Sequence, residues 1–174
     1  DLSALTRRRS SGRIEKRSLG RTGEMLSIIG FGGIGVMNAR PEDASDMVKL
    51  AIDSGINYFD VAPSYGDAEI KLGPALEPYR KNVFLACKTQ KRTKDEASAE
   101  LEQSLQHLRT DHFDLYQLHA VTTIEEVDTI FGPGGAIEAF QDARKEGKIR
   151  FIGFSAHSVE AAMALMDRFD FDTI

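Results

Sequence analysis

Short apolar stretches recur along the chain and alternate with segments in which apolar residues follow helical spacing. The stretches start near residues 28, 56, 82, 113, 149 and 171, and polar and apolar side chains do not alternate within them. Strands of this kind are covered on both faces, and strands that alternate with helices form parallel sheets. The pattern therefore predicts an α/β protein with crossover helices.

Start and stop signals predict where several of these helices lie. A helix is predicted to begin at Pro41, followed by Glu42 and Asp43, and to end at Gly55. Proline is favoured in the first turn of a helix, and acidic side chains are favoured at the helix N-terminus, which carries partial positive charge. A second helix is predicted to start with a capping box of Thr93 and Glu96 and to bury Ala97, Leu101, Leu105 and Leu108. A third helix is predicted to bury Ile137, Phe140 and Ala143 and to end at Gly147. A fourth is predicted to be capped by Ser158 and to carry Val159, Met163 and Met166.

The first part of the chain differs from this regular alternation. Residues 1–13 show no periodicity and are predicted to form a disordered tail, which leaves residues 14–174 as the folded domain. The segment "IEKRSLGRTGEML" predicts two short strands around a turn from Gly20 to Gly23.

Two architectures agree with this order of elements, an open doubly wound sheet and a (β/α)8 barrel. The open sheet is complete at 174 residues, whereas a barrel needs about 250, so length favours the open sheet. The distribution of reactive residues, described below, favours the barrel.

The stretch "IIGFGGIG" matches the dinucleotide-binding pattern G-x-G-x-x-G with Gly30, Gly32 and Gly35. In a Rossmann unit the helix starts within this motif, but here the helix signal begins only at Pro41. Asp60 also follows Gly30 by 30 residues instead of about 20. Both observations argue against a Rossmann fold.

Composition excludes several classes of partner. A net charge of −5 and a pI near 5.4 argue against nucleic-acid binding, and no stretch approaches the roughly 20 apolar residues of a membrane span. Cys87 is the single cysteine, so no internal disulfide can form, and we expect it to pack as a small apolar residue. His107 and His112 lack the spacing of a zinc site, so no metal is predicted. The expectation is a cytoplasmic protein that binds neither nucleic acid nor membrane.

Four reactive residues follow successive predicted strands. Asp60, Lys88 and His119 end the second, third and fourth strands, and Tyr65 lies in the loop after Asp60. Each has an ordinary structural interpretation when taken alone, as a cap, a solvated side chain or a packing residue. The carboxyl ends of parallel strands meet at one rim, where α/β barrels hold their active sites.

Together these residue types fit one reaction. An ammonium group near a phenol favours the phenolate, and a carboxylate keeps the ammonium in place. A histidine beside the phenol adds a hydrogen-bond donor for an oxygen on which negative charge develops. Such a set suits proton donation to a carbonyl while a cofactor delivers hydride.

The sequence resembles the aldo-keto reductase family over nearly all of residues 14–174. The matching stretches, in the family's order, are "LGRTGEMLSIIGFGG", "AIDSGINYFDVAPSYGDAE", "VFLACKTQ", "DHFDLYQLH" and "GKIRFIGFSAHS". The resemblance implies a (β/α)8 TIM barrel with an N-terminal β-hairpin and NADPH bound without a Rossmann fold. NADH is an alternative cofactor, and a small-molecule carbonyl is the implied substrate.

The resemblance also implies residue roles. Tyr65 corresponds to the general acid, Asp60 and Lys88 to the residues that tune it, and His119 to the residue that orients the carbonyl. Gly33 and Ile34 would line the nicotinamide side of the pocket, and Ser155 would hold its carboxamide. Relatives usually have Ser-Asn where this chain has Ser155-Ala156-His157, so the asparagine contact is lost and His157 is a candidate replacement.

The chain stops at about the sixth strand, before the family's segments that bind the cofactor phosphates and grip the substrate. The expectation is therefore a barrel truncated there, as a fragment of a longer protein. Two other functions stay open, a non-enzymatic NADPH-binding regulatory module and an inactive fragment of the reductase. The carbonyl substrate and the oligomeric state are not predicted.

Overall fold

The structure, a computed structural model, describes residues 14–174, so the predicted tail lies outside the described residues. Its first feature is an antiparallel hairpin of β1 (Lys16–Ser18) and β2 (Met25–Ser27). Gly20 and Gly23 in the turn both have positive φ, which glycine adopts without steric cost. The predicted hairpin is confirmed.

A five-stranded parallel sheet follows, in which each strand pairs with the next one along the chain. Its strands are β3 (Phe31–Gly32), β4 (Tyr58–Asp60), β5 (Phe84–Thr89), β6 (Phe113–Val121) and β7 (Ile149–Ala156). Thr173 adds a parallel bridge to Gly153, where the sixth strand was predicted to start. A doubly wound sheet reverses its strand order at a switch point, whereas a barrel does not. The described strands run in barrel order.

In the described part of the chain, six α-helices pack against this sheet: α1 (Pro41–Asp53), α2 (Ala68–Leu76), α3 (Lys94–His107), α4 (Ile124–Phe131), α5 (Ala136–Lys145) and α6 (Val159–Arg168). The start at Pro41 is confirmed. A short 3-10 turn, Gly33–Val36, stands where a Rossmann helix would begin. The sequence pattern did not indicate α4.

The helix caps differ in part from prediction. Ser158 accepts a hydrogen bond from the backbone of Ala161, as predicted. The prediction of a capping box at Thr93 is wrong, because the Thr93 hydroxyl donates to the Glu96 carboxylate and accepts no backbone N–H. A complete capping box forms instead at Thr123, at the start of α4.

Two apolar layers position the ends of the strands. The larger one lies between the sheet and the helices and includes the fully buried Phe59 and Cys87, so the apolar packing predicted for Cys87 is confirmed. A smaller cluster on the other face joins Leu26 of the hairpin to Phe84 and Leu115. Since Phe84 begins β5, the hairpin lies at the amino ends of the strands, and the carboxyl ends stay open.

The outer face of α6 is exposed. Ala161 and Leu165 pack inward, while Val159, Met163 and Met166 of the predicted pattern point to solvent. Within residues 14–174, no helix is both long enough and apolar enough to cross a membrane.

Candidate active site

The carboxyl ends of three adjacent strands bring the four predicted residues together. Asp60 ends β4, Lys88 is the next-to-last residue of β5, and His119 lies near the end of β6. Asp60 pairs in register with Ala86, so Lys88 follows two residues further on and shares that face of the sheet. Tyr65 reaches the group from the loop between β4 and α2.

Lys88 is the centre of this cluster. Its ammonium forms an ion pair with the Asp60 carboxylate and donates a hydrogen bond to the Tyr65 hydroxyl at 3.3 Å. Lys88 is only 7% exposed, so the Asp60 charge compensates for the water that the ammonium has lost. Its Nζ also lies 5.1 Å from the centre of the Tyr65 ring. The Lys88 ammonium thus contacts the Tyr65 side chain at both its hydroxyl and its ring.

His119 faces the same phenol. The two rings lie edge to face, with 6.0 Å between their centres. Burial lowers the pKa of His119, and the nearby positive charge of Lys88 lowers it further. The Nδ1 atom is buried and has no hydrogen-bond partner among residues 14–174. The imidazole is therefore neutral near pH 7, and its Nδ1 is unmatched within the described residues.

Two loops are fastened to each other beside Tyr65. The backbone N–H of Tyr65 bonds the Ala62 carbonyl at 3.0 Å, which closes a turn directly after β4. Asp67, two residues beyond Tyr65, accepts a hydrogen bond from the backbone of Asn38 at 2.7 Å. Asn38 belongs to the loop that follows β3, so the Tyr65 loop and the glycine-rich loop hold each other in place.

Gly33 and Ile34 lie in that glycine-rich loop. Gly33 is buried, and a Cβ atom at this position would come within 2.9 Å of the Asp60 carbonyl and the Val61 side chain. Only glycine fits so close to the end of β4. The Ile34 side chain is 53% exposed. The loop therefore borders the cluster and presents an apolar side chain to solvent.

Ser155 and His157 lie at the end of β7 and just beyond it. The Ser155 hydroxyl accepts a hydrogen bond from the backbone of Ala120 at 2.9 Å, which leaves its own proton free to donate. His157 is exposed, and its backbone N–H bonds the Val121 carbonyl. The structure thus places Ser155 directly beside the His119 segment and the His157 side chain at the outer border.

Sequence reasoning missed an ion pair behind His119. Arg92, in the loop after β5, donates to the backbone carbonyl of His119 at 2.8 Å and to the Glu126 carboxylate at 3.0 Å. Burial alone would raise the pKa of Glu126, but hydrogen bonds from Thr122 and the charge of Arg92 lower it to about 2. The spacing Thr123-x-x-Glu126 is a capping-box signal that could have located the acid. Nothing in the sequence marked Arg92.

A cavity of about 1150 Å³ lies elsewhere. Its lining includes Val83, Phe84 and Arg150, so it opens at the amino ends of the strands, away from the reactive cluster. Among residues 14–174 no group of three or more His, Cys, Asp or Glu side chains is placed to hold a metal ion. None of the four clustered residues, Asp60, Tyr65, Lys88 and His119, lines this cavity.

Known proteins resemble the chain in both sequence and structure. Residues 28–174 match the model of the "Aldo/keto reductase family". The oxidoreductase YqkF of Bacillus subtilis is 32% identical over 157 residues, which are 82% of this chain and 49% of that protein. L-galactose dehydrogenase of Arabidopsis thaliana is 32% identical over 171 residues, covering 90% of this chain and 53% of that protein.

Among solved structures, the holo form of the aldo-keto reductase AKR11C1 from Bacillus halodurans aligns with a TM-score of 0.79 at 30% identity. The alignment covers 91% of this chain and 55% of that one. The chain thus spans about half the length of the curated relatives it matches.

Proposed function

The chain belongs to the aldo-keto reductase family, and on that premise we propose that it serves the reduction of aldehydes or ketones to alcohols with NADPH, or NADH, as the cofactor. One observation carries the proposal: the buried ammonium of Lys88 contacts both the Asp60 carboxylate and the Tyr65 hydroxyl, next to a neutral His119. That set of groups can supply a proton to a carbonyl oxygen.

Tyr65 is the general acid in this proposal. A reduced nicotinamide, if held by the cofactor contacts named below, would supply the hydride for the carbonyl carbon. Tyr65 transfers its hydroxyl proton to the oxygen as negative charge develops there, and Lys88 stabilises the phenolate that remains. Asp60 holds the ammonium in place, and His119 donates a second hydrogen bond to the same oxygen. Each residue has one task that its position supports.

Gly33, Ile34, Ser155 and His157 are the proposed cofactor contacts. Gly33 lets the backbone come close to the end of β4, and the exposed Ile34 offers an apolar surface for a flat ring. The free proton of Ser155 can bond the oxygen of a carboxamide. Asp60 borders this region too, beside Gly33.

The substrate class is a small-molecule carbonyl. One similar protein is named L-galactose dehydrogenase and another, in Novosphingobium aromaticivorans, is named 6-dehydroglucose reductase. Those names describe sugar-related substrates of the relatives. For this chain, the proposed substrate is a small molecule whose carbonyl oxygen can accept a hydrogen bond from the Tyr65 hydroxyl.

The test measures NADPH oxidation with a reactive aromatic aldehyde, together with NADPH binding by fluorescence. Tyr65→Phe removes the proton donor alone, so we expect turnover to fall at least about 100-fold while NADPH affinity changes little. Tyr79→Phe, which changes a tyrosine in the 3-10 turn Glu77–Asn82, should keep normal turnover. Equal turnover in Tyr65→Phe and the wild type would refute the role of the phenol. NADPH binding without turnover in the wild type would instead favour the binding module.

A further inference from the structure

The backbone directly after His119 departs from regular strand geometry. β6 and β7 pair Leu118 with Phe154 and Val121 with Ala156, so three steps on β6 oppose two on β7. Ala120, inside this bulge, has φ of 55°, a conformation that non-glycine residues adopt rarely. Bulges of this kind redirect side chains, and they persist only where neighbouring groups hold them.

Two side chains hold the peptide group between His119 and Ala120 from opposite sides. Arg92 donates to its carbonyl oxygen at 2.8 Å, and the Ser155 hydroxyl accepts from its N–H at 2.9 Å. Arg92 comes from the loop after β5 and Ser155 from β7, the two strands that flank β6. Both polar atoms of the peptide are thereby satisfied, and its orientation is fixed.

Arg92 is itself held rigidly. Its side chain is 13% exposed, and Glu126 accepts from its Nε at 3.0 Å. Glu126 also accepts the backbone N–H of Thr123 at the start of α4. The arginine therefore connects the bulge to the capped end of a helix, so its guanidinium cannot leave the carbonyl without breaking an ion pair.

We propose that Arg92 and Ser155 are positioning residues that clamp the peptide after His119 and so aim the imidazole at the Tyr65 hydroxyl. The effect of the His119 orientation on catalysis rests on the proposed function. The clamp itself is a property of the folded chain. It gives Ser155 a task separate from the proposed contact with a cofactor, because the hydroxyl oxygen serves Ala120 while its proton stays free.

The test is amide hydrogen exchange by NMR on the 174-residue chain. Ser155→Ala removes the acceptor for the Ala120 N–H, so we expect that amide to exchange at least about tenfold faster, while other amides of β6 keep their rates. Ser155→Thr keeps the hydroxyl and should restore slow exchange. Arg92→Met should also speed hydrogen exchange at the Ala120 amide and shift the NMR signals of the His119 imidazole. Lys91→Met, which changes the exposed neighbouring residue, should do neither.

Unchanged exchange at Ala120 in both Ser155→Ala and Arg92→Met would overturn the clamp, even if the chain reduces aldehydes. Faster exchange throughout β6 would also overturn it, because that result shows general destabilisation. If Arg92→Met does not fold, the pair of Ser155 variants still decides. None of these readouts requires turnover, so a failure of the proposed function stays distinguishable from a failure of the clamp.

Where the wild type turns over, Arg92→Met adds a kinetic readout. A misdirected imidazole weakens transition-state stabilisation and leaves binding unchanged, so we expect kcat to fall about tenfold and the KM for NADPH to change less than about twofold. A change in KM with constant kcat would contradict the positioning role.

Discussion

The two ends of the parallel strands each hold a carboxylate next to basic groups, but the two carboxylates differ in burial and in how fully they are bonded. At the amino ends, Asp114 accepts hydrogen bonds from the backbone of Leu85 at 2.9 Å and from Arg150 at 2.6 Å, with Arg80 at 3.1 Å. Only 4% of Asp114 is exposed. Each oxygen of this carboxylate has a donor within the chain, so Asp114 stabilises this end of the sheet.

At the carboxyl ends, the polar groups are incompletely matched. Asp60 keeps 24% of its side chain exposed, Lys88 divides its hydrogen bonds between two partners, and His119 Nδ1 has none in the described part of the chain. Unmatched buried groups destabilise a fold, and active sites are where proteins retain them. The cavity of about 1150 Å³ lies at the amino ends, so it does not coincide with the cluster of Asp60, Tyr65, Lys88 and His119.

The largest effect on stability is expected at the amino ends. Asp114→Ala leaves Arg80 and the Leu85 N–H without their buried partner, and breaking a buried ion pair typically costs about 3–5 kcal/mol. Urea unfolding followed by circular dichroism measures the loss. Asp111→Ala removes an exposed carboxylate nearby and should change stability little. Equal losses in the two variants would show that Asp114 is not a structural anchor.

A smaller effect is expected where the glycine-rich loop borders the reactive cluster. Gly33→Ala places a Cβ atom within 2.9 Å of the Asp60 carbonyl, and such overpacking typically costs about 1–3 kcal/mol. The shift should also displace Asp60 and lower turnover. Gly32→Ala is the matched control, because a Cβ there meets nothing within 4 Å. If both variants unfold at the same urea concentration, the close approach at Gly33 is not a constraint.

The two ends of the strands also differ in how far their contacts could be predicted from the sequence. The order of strands and the cluster of Asp60, Tyr65, Lys88 and His119 were predictable, because strand periodicity places each residue at the same edge. The contacts of Asp114 were not predicted, since its partners Leu85 and Arg150 are far away in sequence and meet it only through the register of β5, β6 and β7.

The bulge at Ala120 was beyond prediction for a related reason. A positive φ at alanine has no signal in composition, and it exists here because Arg92 and Ser155 hold the peptide from neighbouring strands. The capping box assigned to Thr93 failed because two side chains that can reach the backbone can also bond each other. Local spacing identifies which groups are able to interact, and tertiary contacts decide which partner each one takes.

The smallest effect is expected from Glu126, which belongs to the carboxyl end but is satisfied like Asp114. Its pKa lies at about 2 in the folded chain, against 4.5 as the ordinary value, so the carboxylate stabilises the fold above about pH 4.5 and loses that contribution as the pH falls towards 2. Glu126→Gln keeps the capping geometry without the charge. The difference in urea midpoint between wild type and Glu126→Gln should therefore shrink steadily between about pH 4.5 and pH 2. A difference that stays constant over this range would mean that the Glu126 charge, and with it the Arg92 ion pair, does not stabilise the fold.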